Sequence, residues 1–283
     1  MAIERVGIIG SGIMGSGIAE VAARAGHQVV LRSRKQESAD DMVARLTKSL
    51  AKQVDKGRLE ATERDEILGR VTATSSLSDL ADCDLVIESV VEDLAVKTEL
   101  FAELDGICKA GAIIATNTST LPVVEMAVQT GRPEQVCGVH FFNPAPMMSL
   151  VEIVRPLTAS DETIDAVRAF AETCGKSPVE VKDRAGFVVN ALLFPYLNNA
   201  VRMLETATAS RDDIDTAMKG GCNFPMGPLA LLDLVGLDTS LAILDALYDE
   251  FRDPNYAAVP LLRRMVAAGQ LGRKSGAGFY DYG

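Results

Sequence analysis

Histidine is scarce in this 283-residue sequence, and cysteine is never clustered. Only His27 and His140 are present, and Cys83, Cys108, Cys137, Cys174 and Cys222 form no C-x-x-C pair. A zinc centre therefore has little to be built from. An odd, dispersed set of thiols is expected to be buried and reduced, with no disulfide framework. Positive charge is short as well: 28 Lys and Arg stand against 39 Asp and Glu, for a formal net charge of -11. Nonspecific attraction to nucleic acid or to an anionic membrane needs the opposite balance, so neither is an expected partner. No apolar run approaches membrane-spanning length. The chain passes from Glu4 and Arg5 into a strand without a charged leader or an apolar signal core, and a cytoplasmic location is expected. Internal repeats and low-complexity linkers are also lacking.

What is present is a glycine-punctuated β-α-β unit. The apolar run Val6 to Ile9 leads into Gly10-Ser11-Gly12-Ile13-Met14-Gly15, an Ala/Val-rich helix follows to Ala25, and a second apolar strand runs from Gln28 to Leu31. In that setting the G-x-G-x-x-G spacing predicts a bound dinucleotide. Gly10 permits the tight turn, Gly12 lets backbone approach a pyrophosphate, and Gly15 lets the helix pack close to its strand. The helix opening at Ile13 and Met14 then aims its unpaired N–H groups at the phosphates. With hydrophobic residues at 48% the chain can bury a large core. Short apolar runs near 4–9, 28–32, 71–74, 84–89, 112–116, 136–140, 149–154 and 178–181 alternate with amphipathic stretches. This is the pattern of a doubly wound, mostly parallel α/β sheet of Rossmann type over residues 1–183. The charged stretch from Glu37 to Leu68, broken at Lys56-Gly57, predicts a helical hairpin projecting from that domain. From 187 to 283 the spacing becomes helical throughout, which predicts a second, all-α domain. Its first helix is expected over Phe187 to Glu205, with Leu193, Leu197, Val201 and Leu204 on one face and a kink at Pro195. Further helices are expected over 212–219, 228–235, 240–251 and 260–268.

One histidine has a chemically rich setting. His140 closes an apolar strand and opens His140-Phe141-Phe142-Asn143-Pro144, and strand C-terminal ends are where open α/β sheets place ligands. Twelve residues on, Glu152 sits inside the apolar run Val151 to Val154, a costly place for a charge without a partner. Pairing it with His140 gives a general acid/base suited to neutral pH. The alternative is a histidine satisfied by backbone beside a glutamate facing water. Upstream, the strand Ile113 to Thr116 ends in Asn117-Thr118-Ser119-Thr120, whose hydroxyls either cap the helix starting near Pro122 or reach the His140 site. A serine hydrolase would need a glycine-flanked elbow, and Ser119 has none, so hydride transfer is favoured.

With these segments in hand, the chain resembles the 3-hydroxyacyl-CoA dehydrogenases, most closely the short, stand-alone bacterial members that act on 3-hydroxybutyryl-CoA. Gly186-Phe187-Val188-Val189-Asn190, Pro225-Met226-Gly227-Pro228, Val235-Gly236-Leu237-Asp238 and Leu271-Gly272-Arg273-Lys274-Ser275-Gly276 carry the likeness across nearly the whole length. The resemblance implies a short-chain (S)-3-hydroxyacyl-CoA substrate and roles for particular residues. His140 would be the base that takes the 3-hydroxyl proton, Glu152 its orienting carboxylate, and Ser119 and Asn190 donors to the substrate oxygen. Glu92, Lys97 and Asn117 match cofactor-contacting positions, while Ser49, Lys56 and Asn143 fall to the CoA thioester. The helical domain would serve substrate binding and homodimer formation, with Leu229, Leu231, Leu232 and Leu234 as candidate interface surface as well as core. A relative acting on a free hydroxy acid or a carrier-protein thioester, or a non-catalytic nucleotide binder, would share much of this pattern.

Two departures from the resembling pattern stand out. The acid expected at the end of the second strand is replaced by Ser33, flanked by Arg32, Arg34 and Lys35. These side chains suit a 2′-phosphate, so NADP is slightly favoured over NAD. Ahead of Gly186, Asp183-Arg184-Ala185 lacks the customary proline, which alters the stiffness of the interdomain hinge.

Overall fold

The computed structural model describes residues 2–283. The chain divides into two compact units, one ending at Asp183 and the other running from Arg184 to Gly283.

The first unit is built on one eight-stranded sheet: β1 (Arg5–Ile9), β2 (Gln28–Arg32), β3 (Val71–Thr74), β4 (Leu85–Glu88), β5 (Ile113–Thr116), β6 (Val136–Phe141), β7 (Leu150–Arg155) and β8 (Ser177–Lys182). Their order is β3-β2-β1-β4-β5-β6-β7-β8. The pairs from β3 to β6 are parallel, β7 runs antiparallel to β6, and β8 is parallel to β7. Strands covered on both faces cannot alternate, which is why Leu85, Val86 and Ile87 form a continuous run with no solvent exposure. Helices α1 (Ile13–Arg24), α2 (Gln36–Asp55), α3 (Ala61–Gly69), α4 (Leu94–Ile107), α5 (Val123–Ala127) and α6 (Asp161–Thr173) provide the cover.

Residues 36–69 are the expected helical hairpin, but it does not stand away from the domain. Met42, Leu46 and Leu50 of α2 and Ile67 of α3 join the main core with Val29, Leu31 and Ile18. Burying those four side chains contributes roughly 1.5–3 kcal/mol each, while the charged outer face of α2 stays in water either way. The thiols are also more varied than expected: Cys83, Cys108 and Cys137 are buried, Cys174 is half-buried and Cys222 is exposed.

The second unit is all-helical, with α7 (Val189–Glu205), α8 (Arg211–Cys222), α9 (Pro228–Val235), α10 (Leu237–Phe251) and α11 (Pro260–Ala267). Helix α7 begins at Val189, two residues later than expected, because Gly186 and Phe187 both take positive φ (73° and 47°), outside helical space. Leu197 and Val201 are fully buried, with Leu193 and Leu204 packed at the margin of the same core. Two buried carboxylates hold this unit together. Asp215 accepts the backbone N–H groups of Leu229 and Ala230 in the first turn of α9 and the hydroxyl of Tyr280. Asp233 accepts the N–H groups of Phe279 and Tyr280 and the hydroxyl of Tyr282, tying the C-terminal segment to the helices. Leu229 and Leu232 are wholly buried, which makes them core, the second of the two roles open to them. Leu234 remains 49% exposed.

Candidate active site

Because β1, β4, β5 and β6 are parallel, the segments that follow them emerge at one edge of the sheet. The glycine loop, Glu88, Asn117 to Thr120, and His140 therefore converge. Gly10 takes φ 131°, and a Cβ there would lie 2.1 Å from Ser89 O; a Cβ on Gly15 would lie 2.2 Å from Gly10 O. Neither position admits a side chain. Gly12 differs, since a Cβ there meets nothing within 4 Å. It caps α1 without a side-chain hydrogen bond, and no acidic residue lies in the first turn. A bare, open backbone at a helix N-terminus fits a pyrophosphate. Ile13, 76% exposed at the head of α1, borders the same space, whereas Met14 packs inward against the core.

Beside the loop lies a crevice of about 660 Å³ lined by Gly10, Gly12, Arg32, Ser33, Arg34, Val90, Glu99 and Glu103. Ser33 is buried and its N–H donates to Thr74 O. Arg32 reaches across to Ser75 O through Nε. Burial pushes the Arg32 pKa down, with Glu103 opposing that fall and Arg34 adding to it. Arg32 and Arg34, the basic neighbours of Ser33, thus line this crevice together with Glu99 and Glu103 of α4. The dinucleotide fits this edge of the sheet.

His140 stands opposite Glu152 in the antiparallel β6–β7 ladder. Its Nδ1 lies 2.8 Å from Glu152 Oε2, with the glutamate 1% exposed and the histidine 7%. The turn after β5 is tied to the same place: Asn117 Oδ1 accepts the N–H of Phe141 at 2.8 Å. Asn117 therefore braces the strand end that carries His140. Thr118 does serve its own turn, its Oγ1 accepting from Leu121 N. It does not cap α5, however. That work falls to Asp183, whose carboxylate accepts from Val123 N at 3.0 Å and Val124 N at 2.7 Å.

Glu92 gathers the turn. Its Oε1 accepts from Thr118 Oγ1, Ser119 N and, more weakly, Ser119 Oγ at 3.4 Å. Burial works against its ionisation, but the Lys97 charge and the hydrogen bonds from Thr118 and Ser119 outweigh it and hold its pKa below the ordinary carboxylate value. Lys97 is 1% exposed and ion-paired to Glu88 and Glu92, so it belongs to the wall beneath the site. Ser49 lines a groove with Ser11, Gly12 and Ile13. Lys56 sits beyond it at the C-terminal cap of α2, and Asn143 is exposed after β6. Asn190 lies in the first turn of α7, 8% exposed.

Sequence reasoning passed over three residues here. Arg45, one turn before Ser49, donates to Ser11 O and lines the same groove. Asp183, which the sequence marks only as part of a hinge, caps α5. Glu88 closes an apolar strand as a lone charge, the same signal that singled out Glu152.

A dinucleotide cradle and a carboxylate-backed imidazole on one sheet edge define an oxidoreductase that works with a nicotinamide cofactor. The 3-hydroxyacyl-CoA dehydrogenase NAD binding domain matches residues 5–184, and the C-terminal domain of the same enzymes matches residues 186–282. A 3-hydroxybutyryl-CoA dehydrogenase of Mycobacterium tuberculosis is 50% identical over 287 residues, covering 99% of each chain. One from Clostridioides difficile is 49% identical over 278 residues, covering 98% of this chain and 99% of that one. The crystal structure of (S)-3-hydroxybutyryl-CoA dehydrogenase PaaH1 from Ralstonia eutropha superimposes with a TM-score of 0.97 at 43% identity, covering 100% of both chains. The chain belongs to the 3-hydroxyacyl-CoA dehydrogenase family.

Proposed function

We propose that this protein interconverts a short-chain (S)-3-hydroxyacyl-CoA and its 3-oxoacyl partner, with 3-hydroxybutyryl-CoA and acetoacetyl-CoA as the preferred pair. The observation that carries this reading is the 2.8 Å contact between His140 and Glu152 at the edge where the glycine loop opens. A bound nicotinamide ring supplies the hydride chemistry. Hydrogen bonding of Nδ1–H to Glu152 leaves the basic lone pair on Nε2, which takes the C3 hydroxyl proton as C3 gives up its hydrogen as hydride. Glu152 orients the ring and stabilises imidazolium without itself becoming protonated. A donor from Ser119 meets the charge that develops on the substrate oxygen, and the family resemblance assigns a second donor role to Asn190. Ser49, Lys56 and Asn143 are assigned to the CoA portion.

The cofactor reading is NADP(H) in slight preference to NAD(H). Its support is Ser33 in place of an acid, with Arg32 and Arg34 lining the same crevice. Among the described residues no helix is long and apolar enough to cross a membrane, and a cytoplasmic homodimer formed through the helical unit completes the reading. The test is acetoacetyl-CoA-dependent oxidation of NADPH and NADH in parallel. Turnover is expected with both, and His140→Ala should abolish it while cofactor affinity stays within about twofold. Activity confined to carrier-protein thioesters or free oxo acids would overturn the substrate assignment.

A further inference from the structure

Beneath the Ser119 turn runs a chain of alternating charge, buried at Glu88 and Lys97 and open to solvent at Glu92. Glu88, with no solvent exposure, accepts from Val90 N at 2.5 Å and Lys97 Nζ at 2.6 Å through Oε1, and from Thr116 Oγ1 at 2.8 Å through Oε2. Lys97 Nζ then lies 3.3 Å from Glu92 Oε2, and the other oxygen of Glu92 holds Thr118 and Ser119. Thr116 Oγ1 closes the circuit by accepting from Thr118 N at 3.1 Å. Glu88 and Glu92 are each held by at least three residues, and Lys97, Thr116 and Thr118 by at least two.

A fully buried ion pair is seldom retained for stability, since apolar side chains of similar volume often do as well or better. What the pair offers here is direction. Glu88 at the end of β4 and Thr116 at the end of β5 are register partners, so their contact refers the turn to the rigid sheet that also carries His140. We propose that Glu88 is a positioning residue for Ser119, acting through Lys97 and Glu92. The inference rests on the assignment of Ser119 to the substrate oxygen. Misplacement of a reacting group by about 1 Å can cost on the order of 100-fold in rate, so loosening this chain should be felt in turnover.

The test is a double-mutant cycle between Glu88→Gln and Ser119→Ala, read as kcat, acetoacetyl-CoA KM, and NADH affinity from fluorescence titration. Glu88→Gln is expected to lower kcat about 10-fold or more and leave NADH affinity within about twofold. In the Ser119→Ala background the same change should cost less than about twofold further, because the group it positions is gone. Full additivity, or a loss confined to NADH affinity, would overturn the proposal. If Ser119→Ala alone leaves kcat intact, the Ser119 assignment fails and this inference falls with it. Should Glu88→Gln not fold, Glu88→Leu combined with Lys97→Met replaces both charges by apolar groups of similar size, and the same non-additivity with Ser119→Ala is required of it.

Discussion

Glu152 faces His140 across the single antiparallel junction of an otherwise strand-parallel edge, its carboxylate 2.8 Å from Nδ1. Reversal of β7 is what makes the pairing possible: directly opposed residues of antiparallel strands bring their side chains together on one face. Glu152→Gln keeps the shape but gives Nδ1 an amide that can donate as well as accept, and it removes the charge that stabilises imidazolium. We expect kcat to fall about 100-fold or more with little change in cofactor affinity, measured by steady-state kinetics and fluorescence titration.

The glycines of the loop should separate folding from binding. Gly10→Ala forces a Cβ into Ser89 backbone at a φ of 131° and is expected to cost more than about 2 kcal/mol, read from urea midpoints. Gly12→Ala meets nothing and should leave stability within about 0.5 kcal/mol. Its Cβ points into the space assigned to the pyrophosphate, so cofactor affinity should weaken about 10-fold or more.

Ser33→Asp restores the acid that would bind a ribose 2′-hydroxyl and repel a 2′-phosphate. The ratio of kcat/KM for NADPH to that for NADH is expected to drop by about 10-fold or more. An unchanged ratio would show that Arg32 and Arg34, though they line the crevice, do not read the adenosine ribose.

Asp183→Ala removes the carboxylate that accepts from the first N–H groups of α5, with Pro122 at the cap making no side-chain hydrogen bond. A loss of about 1–2 kcal/mol is expected in denaturant titrations, the usual value of a helix cap.

Alkaline pH should unfold the protein through groups the fold keeps protonated. Burial pushes the Cys83 thiol up to about 11 and Cys137 to about 12, and burial together with the hydrogen bond to Asp215 raises the Tyr280 hydroxyl. A raised folded pKa means that the native state holds protons which the unfolded chain releases above its own values of about 8.5 for Cys and about 10 for Tyr. Stability is thus fully present at neutral pH and lost as pH climbs through the folded values. Thermal melting temperature against pH should fall above about pH 9, and the fall should be shallower in Tyr280→Phe. In the same preparations a thiol reagent should modify exposed Cys222 first and the buried thiols only on unfolding.

Local periodicity and glycine spacing were enough to read the eight strands, the hairpin helices and the helical second half, because each depends on neighbours within a few residues. The hairpin's position was not legible in this way. The helical spacing of Met42, Leu46 and Leu50 would serve a freestanding helix pair equally well, and only packing against Val29 and Leu31 shows that they complete the main core. The same limit applied to Leu229 and Leu232, whose apolar run reads equally as surface for a partner or as interior.

The sequence by itself determined that a dinucleotide cradle opens between β1 and α1 and that His140 and Glu152 are the unusual polar residues of two apolar strands. These facts follow from steric freedom at glycine and from the cost of burying charge, which depend on residue type alone. Only the tertiary structure decided which charges meet. Strand order and register put Glu88 against Thr116, Asn117 against Phe141 and Asp183 against the start of α5, contacts spanning 24 to 60 positions of chain. No local pattern encodes such pairings, because they are set by how the sheet is assembled.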